Sequence, residues 1–336
     1  MHGRISALAL SIAAATLAAM VPRPASAQGA APDVLELEAK IPLGQVKGRI
    51  DHMAVDLARG RLFVAELGND TVAVVDLKSR TVIQVIAGLK EPQGVGYVPS
   101  TETLYVANAR DGSVQLLRGE RYTPGDAVRL GSDADNVRFD AATGMLFVGY
   151  GSGLAVIDPA SVSKVADIPL AGHPESFQLA RDGQRLYVNV PGAEMIAVID
   201  PAVRKLIGRW STQGMDGNFA MALDEQAHEV IVASRHPAKL AAFAMADGGI
   251  VASADTCGDV DDLFVDAKRR RIYASCGEGF VDVLDKASTP WRRLSRMPTV
   301  AGARTSLFVP ELDRLFVAVR ADGQEPAAIW AFRPMP

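Results

Sequence analysis

Short apolar runs separated by polar, turn-forming residues recur along most of the chain. In residues 50–82 the apolar runs Leu62–Ala65 and Val72–Val75 are separated by the turn residues Gly68-Asn69-Asp70. Apolar runs of this length between Gly, Asn and Asp predict β-strands joined by tight turns. No helical period of useful length appears, so the pattern predicts an all-β chain.

The apolar triplet at residues 62–64 recurs at a nearly constant interval. Its copies are Leu62-Phe63-Val64, Leu104-Tyr105-Val106, Leu146-Phe147-Val148, Leu186-Tyr187-Val188, Val230-Ile231-Val232, Ile272-Tyr273-Ala274 and Leu315-Phe316-Val317. Successive copies start 40 to 44 residues apart, and four short strands at that period are typical of a β-propeller blade. Seven copies predict a seven-bladed β-propeller, with blades at about 48–88, 89–131, 132–172, 173–212, 213–258, 259–302 and 303–333.

The two ends of the repeat region complement each other. Residues 33–41 alternate apolar and polar side chains, which predicts a strand with one buried face. The last unit supplies only three strands before the chain ends at Pro334-Met335-Pro336. We therefore expect the N-terminal strand to complete the last blade and close the ring of one domain spanning residues 28–336.

The first 27 residues have the features of a secretory signal peptide. Arg4 precedes an almost unbroken apolar run from Ile5 to Val21, and Ala25-Ser26-Ala27 forms a small-residue cleavage site. An uncleaved membrane anchor is the alternative, but the run is short and ends at the cleavage signal. We expect a mature periplasmic chain that begins at Gln28. No later apolar run approaches the length of a membrane span, so an integral membrane protein is not expected.

The charge of the mature chain argues against nucleic acid as a partner. Removing Arg4 and Arg23 with residues 1–27 leaves 33 of the 35 basic residues against 39 acidic residues, a net charge of −6. Nucleic acids and anionic membranes favour a net basic surface. The basic run Lys268–Arg271 falls in a predicted turn, where few aromatic residues are available to stack on bases.

Three segments carry a resemblance to a known family. Residues 104–114 (LYVANARDGSV), 153–165 (GLAVIDPASVSKV) and 195–210 (MIAVIDPAVRKLIGRW) are similar to the YVTN-type repeat. The whole mature chain resembles the YncE-like family of periplasmic seven-bladed propellers. The resemblance implies the fold, and since one periplasmic member binds single-stranded DNA, it also implies single-stranded nucleic-acid binding as one function. The chain has no haem signature, and it has no quinone signature, because its three tryptophans do not recur at equivalent positions as expected of quinone-cofactor propellers.

Polar residues gather at one predicted end of the propeller channel. In this topology the loop before each inner strand and the loop after each triplet strand lie on the same face, so residues from different blades converge there. We therefore predict a binding or scaffolding protein with an acidic, His-containing channel mouth for a ligand, a cation or a protein partner. The alternative is that these side chains only line a water-filled channel. The expected ligand-binding residues are Asp51, His52, Asp135, Asn136, His173, Glu175, Asn218, Asp261, Asp262 and Arg304.

The same mouth suggests a metal site and, as an alternative function, catalysis. Carboxylate and amide oxygens suit Ca²⁺ or Mg²⁺. The candidate metal ligands are Asp51, Asp135, Glu175 and Asp261. A metal-assisted hydrolase or lyase would use His52 or His173 as its base. Lactonase propellers provide the analogy, but the first inner strand, Ile50–Met53, lacks their Glu-Gly-Pro motif. Whether the chain catalyses a reaction stays open.

The two cysteines are Cys257 and Cys276, 19 residues apart. An even number in a secreted chain favours a disulfide, with a metal pair or two free thiols as alternatives. Cys257 precedes the sixth inner strand and Cys276 ends the strand after it, so both lie at the same end of one predicted hairpin. A disulfide needs a short Cβ separation, and this placement therefore favours the bridge.

Overall fold

Seven four-stranded antiparallel sheets make up the fold. The computed structural model describes residue 1, residues 34–323 and residues 325–336. The predicted all-β, seven-bladed propeller is confirmed. The predicted signal peptide lies, apart from Met1, outside the described residues. Within the described part of the chain, no helix is long and apolar enough to cross a membrane.

Each blade contributes one strand to each of four concentric rings. The innermost strands are β2 (Met53–Asp56), β6 (Pro92–Val98), β10 (Ala134–Asp140), β14 (Phe177–Leu179), β18 (Asp216–Asp224), β22 (Val260–Asp266) and β26 (Ser306–Val309). The second strands are β3 (Arg61–Glu66), β7 (Thr103–Asn108), β11 (Met145–Tyr150), β15 (Leu186–Val190), β19 (Glu229–His236), β23 (Arg271–Cys276) and β27 (Arg314–Val319).

The third and outermost strands follow in the same order, and short 3-10 turns connect successive strands within some of the blades. The third strands are β4 (Thr71–Asp76), β8 (Ser113–Arg118), β12 (Gly153–Asp158), β16 (Met195–Asp200), β20 (Ala238–Ala244), β24 (Phe280–Asp285) and β28 (Ala328–Pro334). The outermost strands are β5 (Thr81–Ile86), β9 (Thr123–Arg129), β13 (Ser163–Pro169), β17 (Lys205–Ser211), β21 (Ile250–Asp255), β25 (Arg292–Pro298) and β1 (Leu35–Pro42). The 3-10 turns are Leu67–Asn69, Pro99–Thr101 and Pro191–Ala193.

The core lies between neighbouring blades. The second and third strands are apolar on both faces because each blade is covered by a blade on either side. Phe63 of β3 shows the packing: its ring centroid lies 5.4 Å from that of Tyr97 and 5.1 Å from that of Tyr122, both in the next blade. Such interdigitation fixes the angle between blades, and so it sets where the inner strands begin around the axis.

The N-terminal strand closes the ring, as the alternating pattern of residues 33–41 predicted. β1 pairs antiparallel with β28, with Leu35 opposite Pro334 and Ile41 opposite Ile329. Arg333 forms ion pairs with Glu36 and Glu38 across this seam. The last blade therefore has all four of its strands, and β1 and β28 stabilise each other across the seam.

The inner strands of all seven blades enclose an axial cavity of about 300 Å³. Its wall is of mixed polarity, with Met53, Val95, Val137 and Leu307 among its apolar lining residues. The polar lining residues are Arg138, Gln178, Ser306, His52, Asn136 and Asp262. The fold thus brings polar and apolar residues from all seven blades together around one axial cavity.

Gly94 sets the close approach of two inner strands, β6 and β10, the second of which carries Asp135 and Asn136. A Cβ atom built on Gly94 would overlap the backbone carbonyl of Asp135, because β6 and β10 lie very close at that point. We expect Gly94→Ala to destabilise the fold by about 1–3 kcal/mol and to displace Asp135. Urea unfolding measures the loss. Gly192→Ala is the control, since nothing lies within 4 Å of its added Cβ, and an equal effect of the two changes would contradict this assignment.

Candidate functional site

His52 lies among three carboxylates from different blades. Its Nε2 is 3.7 Å from Asp51 Oδ1 and 3.8 Å from Asp135 Oδ1, and its Nδ1 is 3.8 Å from Asp262 Oδ2. These distances are too long for hydrogen bonds, so the groups interact through their charges. Four of the residues predicted from sequence therefore meet at one point. We call Asp51, His52, Asp135, Asp262 and the nearby Glu175 the acidic mouth.

Several buried oxygens at the acidic mouth have no hydrogen-bond donor among the described residues. They are both carboxylate oxygens of Asp51, Oδ1 of Asp135 and Oδ1 of the adjacent Asn136. Asp51 is 0 % exposed and Asp135 is 6 % exposed. The Arg49 guanidinium lies 2.8 Å from Asp51 Oδ2, but only as a charge partner without hydrogen-bond geometry. Buried acceptors without donors are rare in folded proteins and are frequently associated with function.

The carboxyl groups of the acidic mouth have raised pKa values. Burial, followed by repulsion from Asp51 and Glu175, raises the pKa of Asp135 to about 7, although His52 opposes this. Burial and repulsion from Asp261 raise the pKa of Glu175 to about 7. Burial also raises the pKa of Asp262 to about 6 and lifts that of Asp51 above its usual range. Asp135, Glu175 and Asp262 consequently exchange protons near neutral pH, which is typical of functional sites.

The pKa of the His52 imidazole is also raised, but the cause is the neighbouring charges and not burial. Burial disfavours its charged form, but the carboxylates of Asp51, Asp262 and Asp135 outweigh burial and raise the pKa of His52. The imidazole is therefore protonated over a wider pH range than a free histidine. It supplies a positive charge that partly balances the acids around it.

Asp261 acts on His52 through its charge but forms its ion pairs in a neighbouring group of residues. Its Oδ1 lies 2.7 Å from an Nη of Arg235, and its Oδ2 lies 3.2 Å from Nε of Arg304. Asp259 joins the same two arginines, at 3.1 Å from Arg235 Nε and 2.9 Å from Arg304 Nη1. The Arg235 guanidinium also stacks on the Phe219 ring, 3.5 Å from its centroid. Both oxygens of Asp261 are therefore occupied by arginine.

Glu175 and His173 lie on the loop before β14, at the rim of the mouth. Glu175 is half-buried and forms no ion pair with a described residue, while its backbone N–H donates to the Asn189 carbonyl at 3.0 Å. His173 Nδ1 lies 3.0 Å from the Gly151 carbonyl oxygen and 3.6 Å from Asp133 Oδ2. Of the two candidate catalytic histidines, only His52 has ring nitrogens within 4 Å of carboxylates of the acidic mouth.

Asn218 makes its hydrogen bonds to the neighbouring blade and not to another predicted ligand-binding residue. Its amide donates at 3.0 Å to Asn189 Oδ1 and at 3.0 Å to the Met195 carbonyl, so its N–H groups stabilise the contact between blades 4 and 5. Asn189 in turn donates to the carbonyls of Phe219 and Ala220. The strand register is irregular between Asn218 and Ala220, and the buried side chain of Asn218 bonds to the neighbouring blade.

The candidate metal ligands do not form one group. Asp51 and Asp135 face His52, Asp261 faces Arg235 and Arg304, and Glu175 lies at the rim. Among the described residues, no set of three or more His, Cys, Asp or Glu side chains is arranged to hold a metal ion. The donor arrangement therefore gives no support to a Ca²⁺ or Mg²⁺ site built from these four residues.

Three arginines at the channel were not among the predicted site residues. Arg49 pairs with Asp51, and Arg235 pairs with Asp259 and Asp261. Arg138 lines the axial cavity, where burial lowers its pKa although Asp262 and Asp135 oppose this. The sequence feature that could have pointed to Arg235 as a site residue is its position at the end of the fifth triplet strand, beside the exposed His236.

The basic run Lys268–Arg271 is engaged with the protein itself. Arg269 forms ion pairs with Asp266 and Asp313, and Lys268 also pairs with Asp313. Arg271 donates to the carbonyls of Met335 and Pro336 near the C-terminus. Most of this run consequently ties β23 to the seventh blade and does not form a free groove for a nucleic-acid backbone.

Comparison with solved structures identifies propellers of the same architecture at low sequence identity. A chain of the Kuenenia stuttgartiensis hydrazine synthase matches with a TM-score of 0.67 and 16% identity, covering 81% of this chain and 94% of that chain. A chain of the mitotic checkpoint complex matches with a TM-score of 0.76 and 14% identity, covering 99% of both chains. No family model matches the sequence, and no curated protein does. At these identities the likeness shows the fold alone.

Proposed function

We propose that this protein binds a small organic cation, one that donates several hydrogen bonds, at the acidic mouth. The observation that carries the proposal is Asp135, a nearly buried carboxyl group whose Oδ1 has no donor among the described residues. A buried carboxylate is unfavourable unless a positive charge and hydrogen-bond donors compensate it. A protonated amine supplies both, and the axial cavity of about 300 Å³ leaves room for an apolar tail.

The raised pKa values predict how such binding depends on pH. Asp135 and Glu175 both have a pKa of about 7, so each is half ionised at neutral pH before a ligand arrives. A cation favours the ionised forms, and binding therefore releases protons. The affinity for an amine that stays protonated is expected to rise about tenfold between pH 6 and pH 8 for each carboxyl group that it contacts.

Matched small probes test the charge and the donors separately. The probes are n-butylamine, n-butanol, which keeps the shape without the charge, and tetramethylammonium, which keeps the charge without donors. We expect only the amine to raise the melting temperature at pH 8. Glu175→Gln should weaken its binding about tenfold, the effect of losing one charge-assisted hydrogen bond, while the exposed Asp126→Asn should not.

Two results would overturn this proposal. One is that no amine stabilises the protein at pH 8, or that butanol and butylamine act equally. The other is that Ca²⁺ or Mg²⁺, titrated in parallel, stabilises the wild-type protein but not Glu175→Gln, which would assign the mouth to a metal cation.

A hydrolase or lyase at the same mouth is a second candidate, favoured by the contacts of His52. Its imidazole lies within 4 Å of three carboxylates, and the pKa values of Asp135 and Asp262 are about 7 and about 6. Groups that titrate this close together can pass protons to a substrate. Because the pKa of His52 is raised, it would act as a proton donor before it acts as a base. Turnover of a lactone or ester panel that disappears in His52→Gln would establish this activity.

We also propose that the chain is a periplasmic protein of the YncE-like group. The repeat segments at residues 104–114, 153–165 and 195–210 and the signal-peptide pattern of residues 1–27 support this assignment. The disulfide between Cys257 and Cys276 is consistent with an oxidising compartment. Mass spectrometry of protein from a periplasmic extract, with Gln28 as the expected N-terminus, tests it.

A further inference from the structure

A second recess, of about 180 Å³, opens where blades 6, 7 and 1 meet. Three guanidinium groups line it, from Arg49, Arg304 and Arg320, and Asp259 is the carboxylate in its wall. The other lining residues are apolar or small, namely Ile50, Gly277, Ala301, Gly302 and Ala318. We call this feature the arginine recess. It lies beside the acidic mouth, because Arg49 contacts Asp51 and Arg304 contacts Asp261.

Carboxylates in the wall of the recess and next to it hold two of the three arginines in place. Nη1 of Arg304 lies 2.9 Å from both oxygens of Asp259, and its Nε lies 3.2 Å from Asp261. Arg49 has an Nη atom 2.8 Å from Asp51. These contacts fix the directions of the two side chains before any ligand arrives, which reduces the entropy cost of binding.

Among the described residues, the hydrogen bond that holds Arg320 comes from the backbone. Its Nε donates to the Ala301 carbonyl at 3.3 Å, and it forms no ion pair with any residue in the described ranges 34–323 and 325–336. Its guanidinium lies flat against Gly302, where an added Cβ would overlap it. Gly302 has φ +82°, a conformation that also favours glycine. The backbone thus positions a guanidinium whose charge no described carboxylate balances.

This arrangement favours an anionic ligand over a cation. Guanidinium groups present planar forks of N–H donors that match the spacing of carboxylate and phosphate oxygens. Asp259 is already shared between Arg304 and Arg235, so its charge is engaged within the protein. We propose that the arginine recess is a binding site for an anionic oxygen group, a carboxylate or a phosphate. This site stands independently of the amine proposed for the acidic mouth.

Titrations at constant ionic strength test the site with defined probes. Inorganic phosphate and acetate each replace chloride, and binding to the full mature chain is followed by calorimetry and by melting temperature at pH 7.5. We expect saturable binding of at least one anion. The anion that binds more tightly shows whether the site prefers a phosphate or a carboxylate. Arg320→Gln should weaken that binding about tenfold, the effect of one charge-assisted hydrogen bond.

Two further variants make the result decisive. Gly302→Ala keeps every arginine but displaces the Arg320 guanidinium, and it should weaken anion binding to a similar extent. Arg129→Gln removes one positive charge from an exposed outer strand and should leave binding unchanged. Equal anion binding by the wild-type protein and both recess variants would overturn the proposal, as would a response to neither phosphate nor acetate beyond that to chloride.

Discussion

Replacing Asp135 by Asn is expected to stabilise the protein at pH 8 by about 2–4 kcal/mol and to have almost no effect at pH 4. The pKa of Asp135 is about 7 in the folded protein because burial disfavours its charge, against an ordinary value of 3.8. The folded state therefore binds more protons than the unfolded state between these two values. Stability contributed by the protonated carboxyl is lost as pH rises through this window, and Asn, which cannot ionise, avoids the loss.

Urea unfolding of the two proteins between pH 4 and pH 8 measures this effect. The difference should be absent below pH 4, grow between pH 4 and pH 7, and stay constant above pH 7. The raised pKa of His52 adds a loss of stability as pH rises above 6.5, but this loss occurs in both proteins, since Asp51 and Asp262 remain beside His52 in the variant. Asp126→Asn, at an exposed site, is the control and should show no such slope. A uniform destabilisation by Asp135→Asn at all pH values would contradict the account.

Removing the disulfide is expected to cost on the order of 3 kcal/mol of unfolding free energy, the chain-entropy value for a loop of this size. The bridge joins Cys257, before β22, to Cys276, at the end of β23, with Cα atoms 5.9 Å apart and a sequence separation of 19 residues. It also anchors the segment that carries Asp259, Asp261 and Asp262. The double variant Cys257→Ala/Cys276→Ala should therefore bind amine more weakly as well.

Reduction of the wild-type protein supplies the matched control for the double variant. Urea unfolding in the presence of dithiothreitol should bring the wild-type protein close to the variant, while the variant itself should not respond. If the two proteins unfold at the same urea concentration without reductant, the disulfide does not stabilise the fold as described. Non-reducing peptide mapping of the same samples should recover a Cys257–Cys276 peptide.

The periodicity of the sequence was sufficient to predict the architecture. Each triplet such as Leu62-Phe63-Val64 marks a strand buried on both faces, and only a ring of blades buries seven of them alike. The ring closure was also predictable, because β1 alternates and the last unit lacks a strand. Both features follow from local pattern and chain length, and they do not depend on how individual side chains turn.

The candidate site was predictable only where residues at equivalent positions of the repeat point in the same direction. Asp51 and Asp135 both lie eleven residues before the first residue of their triplets, Leu62 and Leu146, and both lie within 4 Å of His52. Asp261 holds the equivalent position in the sixth blade but pairs with Arg235, whereas the next residue, Asp262, lies 3.8 Å from His52. The strand register is irregular between Val260 and Asp262, so the alternation of the strand does not predict which of the two acids faces His52.

The arginines show why the remainder of the site could not be read from the sequence. Arg235 reaches the mouth from a second strand, held by Phe219 and two carboxylates, and a long flexible side chain has no preferred direction in the sequence pattern. Arg320 is placed by the backbone at Ala301 and Gly302. These contacts arise from tertiary packing between blades, which a single sequence does not reveal.

Proton release on amine binding tests the central claim most directly. Calorimetric titration of n-butylamine at pH 7, in two buffers of different ionisation enthalpy, gives the number of protons exchanged. The pKa values of about 7 for Asp135 and Glu175 predict a release on the order of one proton, falling in Asp135→Asn and in Glu175→Gln. Binding with no proton release, or release unchanged in both variants, would contradict the assignment of the ligand to the acidic mouth.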